Sequence, residues 1–191
     1  LLHGVMAPHF LVDPYWPKPL PNNWAMGNTI GVDVDERDHV FIVHRNDASQ
    51  FGGNTEIGLQ GGVAECCTPA PPIIEFDAEG NVVNAWGGPV EGAPYVWPAS
   101  NHGIEVAPNG DVWIGGNGGG DSHVLVFSRD GEYIRTIGMQ GEGRDSNSKT
   151  HFARVAEIAI DVEANEAYFA DGYQNRRVAV VDVATGAFKR Y

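Results

Sequence analysis

Three stretches of this chain share one pattern, and a pattern recurring at intervals of tens of residues restricts the fold more than any single motif. They are IGVDVDERDHVFIVHR (30–45), HGIEVAPNGDVWIGGN (102–117) and AEIAIDVEANEAYFADG (156–172). Each has a short apolar alternation, an acidic or Asn/Gly turn, and a second apolar alternation, which is a β-hairpin. A second hairpin follows each: IIEFDAEGNVVNAWGG (73–88), VLVFSRDGEYIRTIG (124–138) and VAVVDVATGAFKRY (178–191), turning at Glu-Gly, Asp-Gly or Thr-Gly. Two hairpins give four strands, and a four-stranded unit that cannot cover its own apolar face must stack on a neighbour. The expected fold is therefore all-β, a β-propeller with about three four-stranded blades near 29–88, 102–138 and 155–191, after an extended N-terminal segment over 1–28. Period 2 assigns Val32, Val34, Ile104, Val106, Ile158 and Ile160 to the innermost strands, alternating with Asp33, Glu105 and Ala159. The Pro- and aromatic-rich DPYWPKPLPNNW is expected to run along the propeller's surface. Residues 46–72 read as a long insertion within the first blade.

Composition narrows the partners. Acidic residues outnumber basic ones 25 to 12, for a formal charge of -13, so a phosphate backbone is repelled and nucleic acid is excluded as a partner. No apolar run approaches the roughly 20 residues that span a bilayer, so no transmembrane segment is expected. The opening LLHGVMAPHF lacks the charged start and long apolar stretch of a signal peptide, and without an initiator Met the chain reads as a processed or partial product. Three blades do not close a ring, so the remaining blades are expected in the same chain or from a second copy.

The two cysteines, Cys66 and Cys67, are adjacent. Their Cα atoms sit about 3.8 Å apart, below the usual disulfide range, which leaves two loop thiols or a vicinal disulfide that stiffens a turn. The glycine-rich GGNGGGD (115–121) opens no helix and lacks a following Lys-Ser/Thr, which argues against a phosphate loop. Acidic turns such as DERD (35–38) are hairpin chemistry first and structural calcium sites second. His39, His44 and His123 fall in strand or turn positions and read as solvated or packing residues.

Three short motifs carry a narrower resemblance: FIVHRND (41–47), NHGIEV (101–106) and ADGYQNRRV (170–178). With them the chain resembles the NHL-repeat family, and within it the peptidyl-α-hydroxyglycine α-amidating lyases, six-bladed propellers with a metal in the central channel. The resemblance implies Arg45 and Tyr173 as catalytic residues and His102 as a zinc ligand, with the other metal histidines in blades beyond Tyr191. It further implies a secreted or periplasmic protein that cleaves a carbinolamide C–N bond in a small peptide-like substrate. The chemistry is coherent: zinc held by neutral imidazoles binds a hydroxyl as a Lewis acid, and a tyrosine serves as a base when a permanent cation such as arginine is near. Two departures stand out. Gln174 occupies the place of a cysteine that vertebrate members carry after the tyrosine, and no copper hydroxylase module is present. The equivalents of His102 in the first and third units are Ile30 and Ala156, which ligate nothing.

Each residue also has a structural reading. His102 would hydrogen-bond a neighbouring blade, Arg45 would be a salt-bridge partner, and Tyr173 an aromatic on the propeller's top. The matching functional alternative is a non-catalytic propeller that binds a protein, peptide or glycan.

Overall fold

A computed structural model describes residues 7–47 and 66–191. The central part of the expected 46–72 insertion therefore lies outside the described residues. Fourteen strands and no helix occur among the residues described: β1 (Trp24–Ala25), β2 (Thr29–Val34), β3 (Val40–His44), β4 (Thr68–Pro69), β5 (Ile73–Phe76), β6 (Val82–Trp86), β7 (Asn101–Val106), β8 (Val112–Gly116), β9 (His123–Phe127), β10 (Tyr133–Gly138), β11 (Ile158–Asp161), β12 (Glu166–Asp171), β13 (Arg177–Asp182) and β14 (Phe188–Arg190). No helix among them is long and apolar enough to cross a membrane.

Twelve of these strands form three antiparallel sheets, ordered β2-β3-β5-β6, β7-β8-β9-β10 and β11-β12-β13-β14. Each sheet is a meander of two hairpins, as the paired alternations require. The first turn of each places a left-handed residue where the chain reverses, at Asp38, Gly110 and Asn165. The sheets stack as blades. Ile104, Ile114 and Leu125 on one face of the second blade share a core with Phe41, Val43 and Ile73 of the first. Trp113, Val124 and Val126 on its other face share a core with Ile158, Phe169, Ala179 and Val181 of the third. Strand β7 packs against both β2 and β11, so the first strand of each blade is the inner one, where neighbouring blades meet. The molecule is an all-β propeller.

Backbone donors of the inner strands are satisfied across blades. The Asp33 carboxylate accepts the Val106 N–H at 2.6 Å, and that of Glu105 accepts the Ile160 N–H at 3.1 Å. The next position in the series is Ala159, which carries no acceptor. Close approach is needed for this stacking. A Cβ on Gly31 would sit 2.7 Å from the His102 carbonyl oxygen, and one on Gly103 2.9 Å from that of Ala156.

Inner-strand position does not mean burial. Val32 and Val34 are 62% and 53% exposed, because they project to the side of the first blade away from the second, opposite Asp33. Farther out on that side, Ile42, Ile74 and Phe76 are covered by Trp16, Leu20 and Trp24 of the N-terminal segment. The segment is broken by turns at 14–15 and 21–23, and Phe10, Leu11 and Val12 stand in solvent. It is fastened by a two-residue parallel pairing of β1 with β4, directly after Cys66 and Cys67, which are joined as a vicinal disulfide.

Candidate functional site

In a four-stranded meander, the entry to the first strand and the exit from the second lie at the same end of the sheet. His102 enters β7, Arg45 leaves β3 and Tyr173 leaves β12. The topology alone therefore puts all three at one end of the propeller.

His102 and Tyr173 meet directly. The imidazole Nδ1 lies 2.8 Å from the Ala156 carbonyl oxygen, which only accepts, so Nδ1 carries the hydrogen. That leaves Nε2 as an acceptor, and the Tyr173 hydroxyl donates to it at 2.9 Å, with the rings edge to face at 5.5 Å. Tyr173 is half exposed, so the pair is open to solutes. The bond to Ala156 is also the contact with a neighbouring blade that a purely structural histidine would make.

Arg45 is placed at the junction of the first and second blades rather than in this contact. Buried at 7% exposure, it reaches Asn117 Oδ1 from Nη2 at 3.2 Å. Asn101, next to His102 in sequence, ties the two blades together: its Nδ2 donates to the carbonyl of His44, the neighbour of Arg45, at 2.8 Å, and its Oδ1 accepts the Trp97 indole N–H.

Two aspartates hold the segments that carry the pair. Asp121 accepts the N–H groups of Ala99, Ser100 and Gly118, which fixes the approach to His102. Asp171, fully buried, accepts from Ala153 N–H, Asn175 Nδ2 and Arg177 Nε, fixing both the segment leading to Ala156 and the loop bearing Tyr173. Sequence reasoning passed over both. The available signal was an aspartate at the end of the second strand of each unit or a few residues beyond it: Asp47, Asp121 and Asp171. Gly103→Ala tests the same geometry: its Cβ would press on the Ala156 carbonyl, and overpacking of this kind costs about 1–3 kcal/mol. We expect a lower urea midpoint and a weakened His102 Nδ1–H hydrogen bond, read from the imidazole 15N shifts.

Among the described residues no group of three or more His, Cys, Asp or Glu side chains is arranged to hold a metal; zinc takes at least three protein ligands, of which the resemblance assigns His102 to this chain segment and the others to blades beyond Tyr191. His44 is buried, with Nε2 donating to Pro71 O and Nδ1 accepting the Gly27 N–H; burial lowers its pKa, and it packs rather than ligates. The DERD turn is used structurally: Asp35 accepts the Arg37 and His39 N–H groups and pairs with Arg129.

The inner strands β2 and β7 carry Asp33 and Glu105, and Glu157 stands just ahead of β11. Burial, the Asp33 charge and the Glu157 charge together push Glu105 up to about 7, against the Ile160 hydrogen bond that lowers it. A carboxyl whose folded pKa exceeds its unfolded value contributes stability that is full below about 4.5 and is lost as pH rises through about 7. Glu105→Gln keeps an oxygen for Ile160 and removes the titration. Thermal melts at pH 4.5 and 8 should therefore show wild type losing more stability than the variant on going to the higher pH.

No protein-family model matches the sequence, and no curated protein matches it. Among solved structures the chain is similar to Kuenenia stuttgartiensis hydrazine synthase, at 13% identity and a TM-score of 0.51. The match covers 95% of this chain but only 38% of that one. At such identity the likeness speaks to architecture alone, and it agrees with the stacked four-stranded sheets in making this chain part of the all-β propeller class.

Proposed function

We propose that this is an NHL-type propeller with a lyase-like proton-transfer site in which Tyr173 and His102 act as a pair on a peptidyl-α-hydroxyglycine-like carbinolamide. The observation that carries the reading is the Tyr173 O–H to His102 Nε2 hydrogen bond. As Tyr173 removes the substrate's hydroxyl proton, it passes its own proton to Nε2. The electrons of the O–H bond become the carbonyl of the aldehyde acid, and the C–N bond breaks. The proton then returns from His102 through Tyr173 to the departing nitrogen, leaving a primary amide. No net proton is gained or lost. Ala156, accepting from Nδ1, keeps the imidazole in the tautomer this relay needs. Arg45, which leaves β3 at the same end of the propeller, supplies a permanent positive charge for orienting the substrate. The Cys66–Cys67 disulfide supports an extracytoplasmic, oxidising location.

Purified protein incubated with an N-acyl-α-hydroxyglycine is expected to release glyoxylate above the spontaneous rate, with the primary amide in equal amount. Release at the spontaneous rate by folded protein, with and without added zinc, overturns the reading. A second reading, a non-catalytic propeller for a peptide, protein or glycan, is favoured by the His102 Nδ1–H bond to the Ala156 carbonyl, the contact by which a structural histidine joins two blades. It requires that same inactivity together with no bound transition metal on elemental analysis.

A further inference from the structure

The N-terminal segment does for the first blade what an outer strand does for the second. Register makes Ile42, Ile74 and Phe76 the counterparts of Ile114, Leu125 and Phe127, whose side of the second blade is covered by the first. There the indole of Trp86, from β6, lies 5.2 Å from the Phe127 ring at 50° and donates to the Arg129 carbonyl at 3.0 Å. Trp16 repeats this on the first blade, 5.6 Å from Phe76 at 52°, with its indole N–H on the Ala78 carbonyl at 3.2 Å. A turn glycine admits the ring in both places, since a Cβ on Gly80 would meet Trp16 at 3.0 Å and one on Gly131 would meet Trp86 at 2.7 Å. The difference lies in how the two rings are held. Trp86 belongs to a sheet, whereas Trp16 lies on a segment fastened at its two ends. At one end Lys18 donates from its N–H to Gly80 O at 3.0 Å and from Nζ to Asn81 Oδ1 at 2.8 Å. At the other, β1 pairs only with β4 among the described strands, through Thr68 N–H on Asn23 O at 3.1 Å and Ala70 N–H on Ala25 O at 3.0 Å. Cys67 is the residue before Thr68.

We propose that the Cys66–Cys67 disulfide is a redox-sensitive fastener for this segment: a dithiol reductant opens the bond, β4 loosens, and the segment leaves the first blade. Closure between neighbouring residues confines the peptide between them in a small ring, which fixes the direction in which the chain enters β4. Once the bond opens, both residues regain backbone freedom, and a ladder of two residue pairs is too short to hold by itself. Cys66 is exposed and Cys67 half-buried, so a reductant can approach from solvent. Its thiolate attacks Cys66 Sγ, Cys67 departs as a thiolate and takes up a proton, and the reductant's second thiol then displaces Cys66. The protein gains two electrons and two protons while the dithiol becomes a disulfide. Release bares Ile42, Ile74 and Phe76 beside Val32 and Val34, which are exposed already. In an oxidising location the segment stays fastened until a dithiol arrives. The switch lies on the side of the first blade away from the second, apart from the His102–Tyr173 pair, and does not depend on the lyase reading.

The test is amide hydrogen exchange of the full chain, read residue by residue by NMR, in oxidised protein and in protein reduced with excess dithiothreitol. Reduction is expected to speed exchange at Lys18, Thr68 and Ala70 by about tenfold or more, as local release does, while β3 and β5 keep their protection. Cys66→Ser/Cys67→Ser, which cannot form the bond, should match the reduced protein with no reductant present. Equal exchange in both redox states overturns the proposal. So does a serine variant protected like the oxidised protein, acceleration spread evenly through β3 and β5, or a disulfide that dithiothreitol leaves intact.

Discussion

Tyr173→Phe is expected to lower the rate of carbinolamide cleavage by about 10²–10⁴-fold while leaving the fold intact, the range associated with loss of a general acid–base group. The substitution removes one oxygen from a half-exposed ring and deletes the donor to His102 Nε2, so melting temperature should barely change. His102→Ala should lower the rate comparably, and the double variant should be little worse than either single one, because both residues serve one proton relay. Additive losses, or a Tyr173→Phe rate within threefold of wild type, would show that the two rings merely touch. Steady-state kinetics with the N-acyl-α-hydroxyglycine, alongside thermal melts, decides the matter.

The second large effect is on stability. Arg129, in the turn between β9 and β10, crosses to the first blade, where Nη1 pairs with Asp35 at 2.6 Å, Nε with Glu75 at 3.0 Å and Nη2 again with Glu75. His39 Nδ1 approaches the same Glu75 oxygen at 2.6 Å, and Arg37 stands 3.9 Å away. The Arg129 side chain is 21% exposed and that of Glu75 only 4%, and the guanidinium lies over the Phe41 ring at 4.8 Å. Arg129→Met would keep much of the packing but leave two carboxylates short of a partner, and breaking a buried pair in this way costs about 3–5 kcal/mol. Burial already raises the Glu75 pKa, against the lowering effects of His39 and Arg37. Without Arg129 the rise should grow, so the deficit should shrink as pH falls and Glu75 takes up its proton. Adding Glu75→Gln to Arg129→Met should recover part of the loss at pH 7. Urea melts of the single and double variants measure both effects; a cost below 1 kcal/mol would mean that the network is screened by solvent.

The blades were legible in the sequence because their information is local. The alternation in IGVDV or IAID fixes a strand, and an Asn-Gly or Asp-Gly pair fixes a turn, without reference to anything distant. Inner strands and the shared end of His102, Arg45 and Tyr173 follow from topology once the hairpins are paired. What alternation does not encode is which side of a sheet has a neighbour. Val32 and Ile104 occupy matching positions, yet one is exposed and the other buried, because only the second faces another blade. The Arg129 cluster was equally hidden, since its members lie on two blades and each alone looks like an ordinary surface charge. Of the histidines expected to be solvated or packing, His44 and His123 are buried and His39 is partly exposed, each bonded to a specific acceptor or donor. A vicinal disulfide was one of two outcomes left open at Cys66 and Cys67, and it is the one found.

The carboxylates passed from one inner strand to the next also give the stack a direction. Asp33 precedes the Val106 amide it serves, and Glu105 precedes Ile160. Synthesis runs from the N-terminus, so each acceptor leaves the ribosome before the donor that needs it. An emerging inner strand therefore docks onto a finished template instead of waiting with an open amide for a blade not yet made. At Ala159 the relay ends, and the outer side of the third blade asks nothing of this kind from whatever follows it.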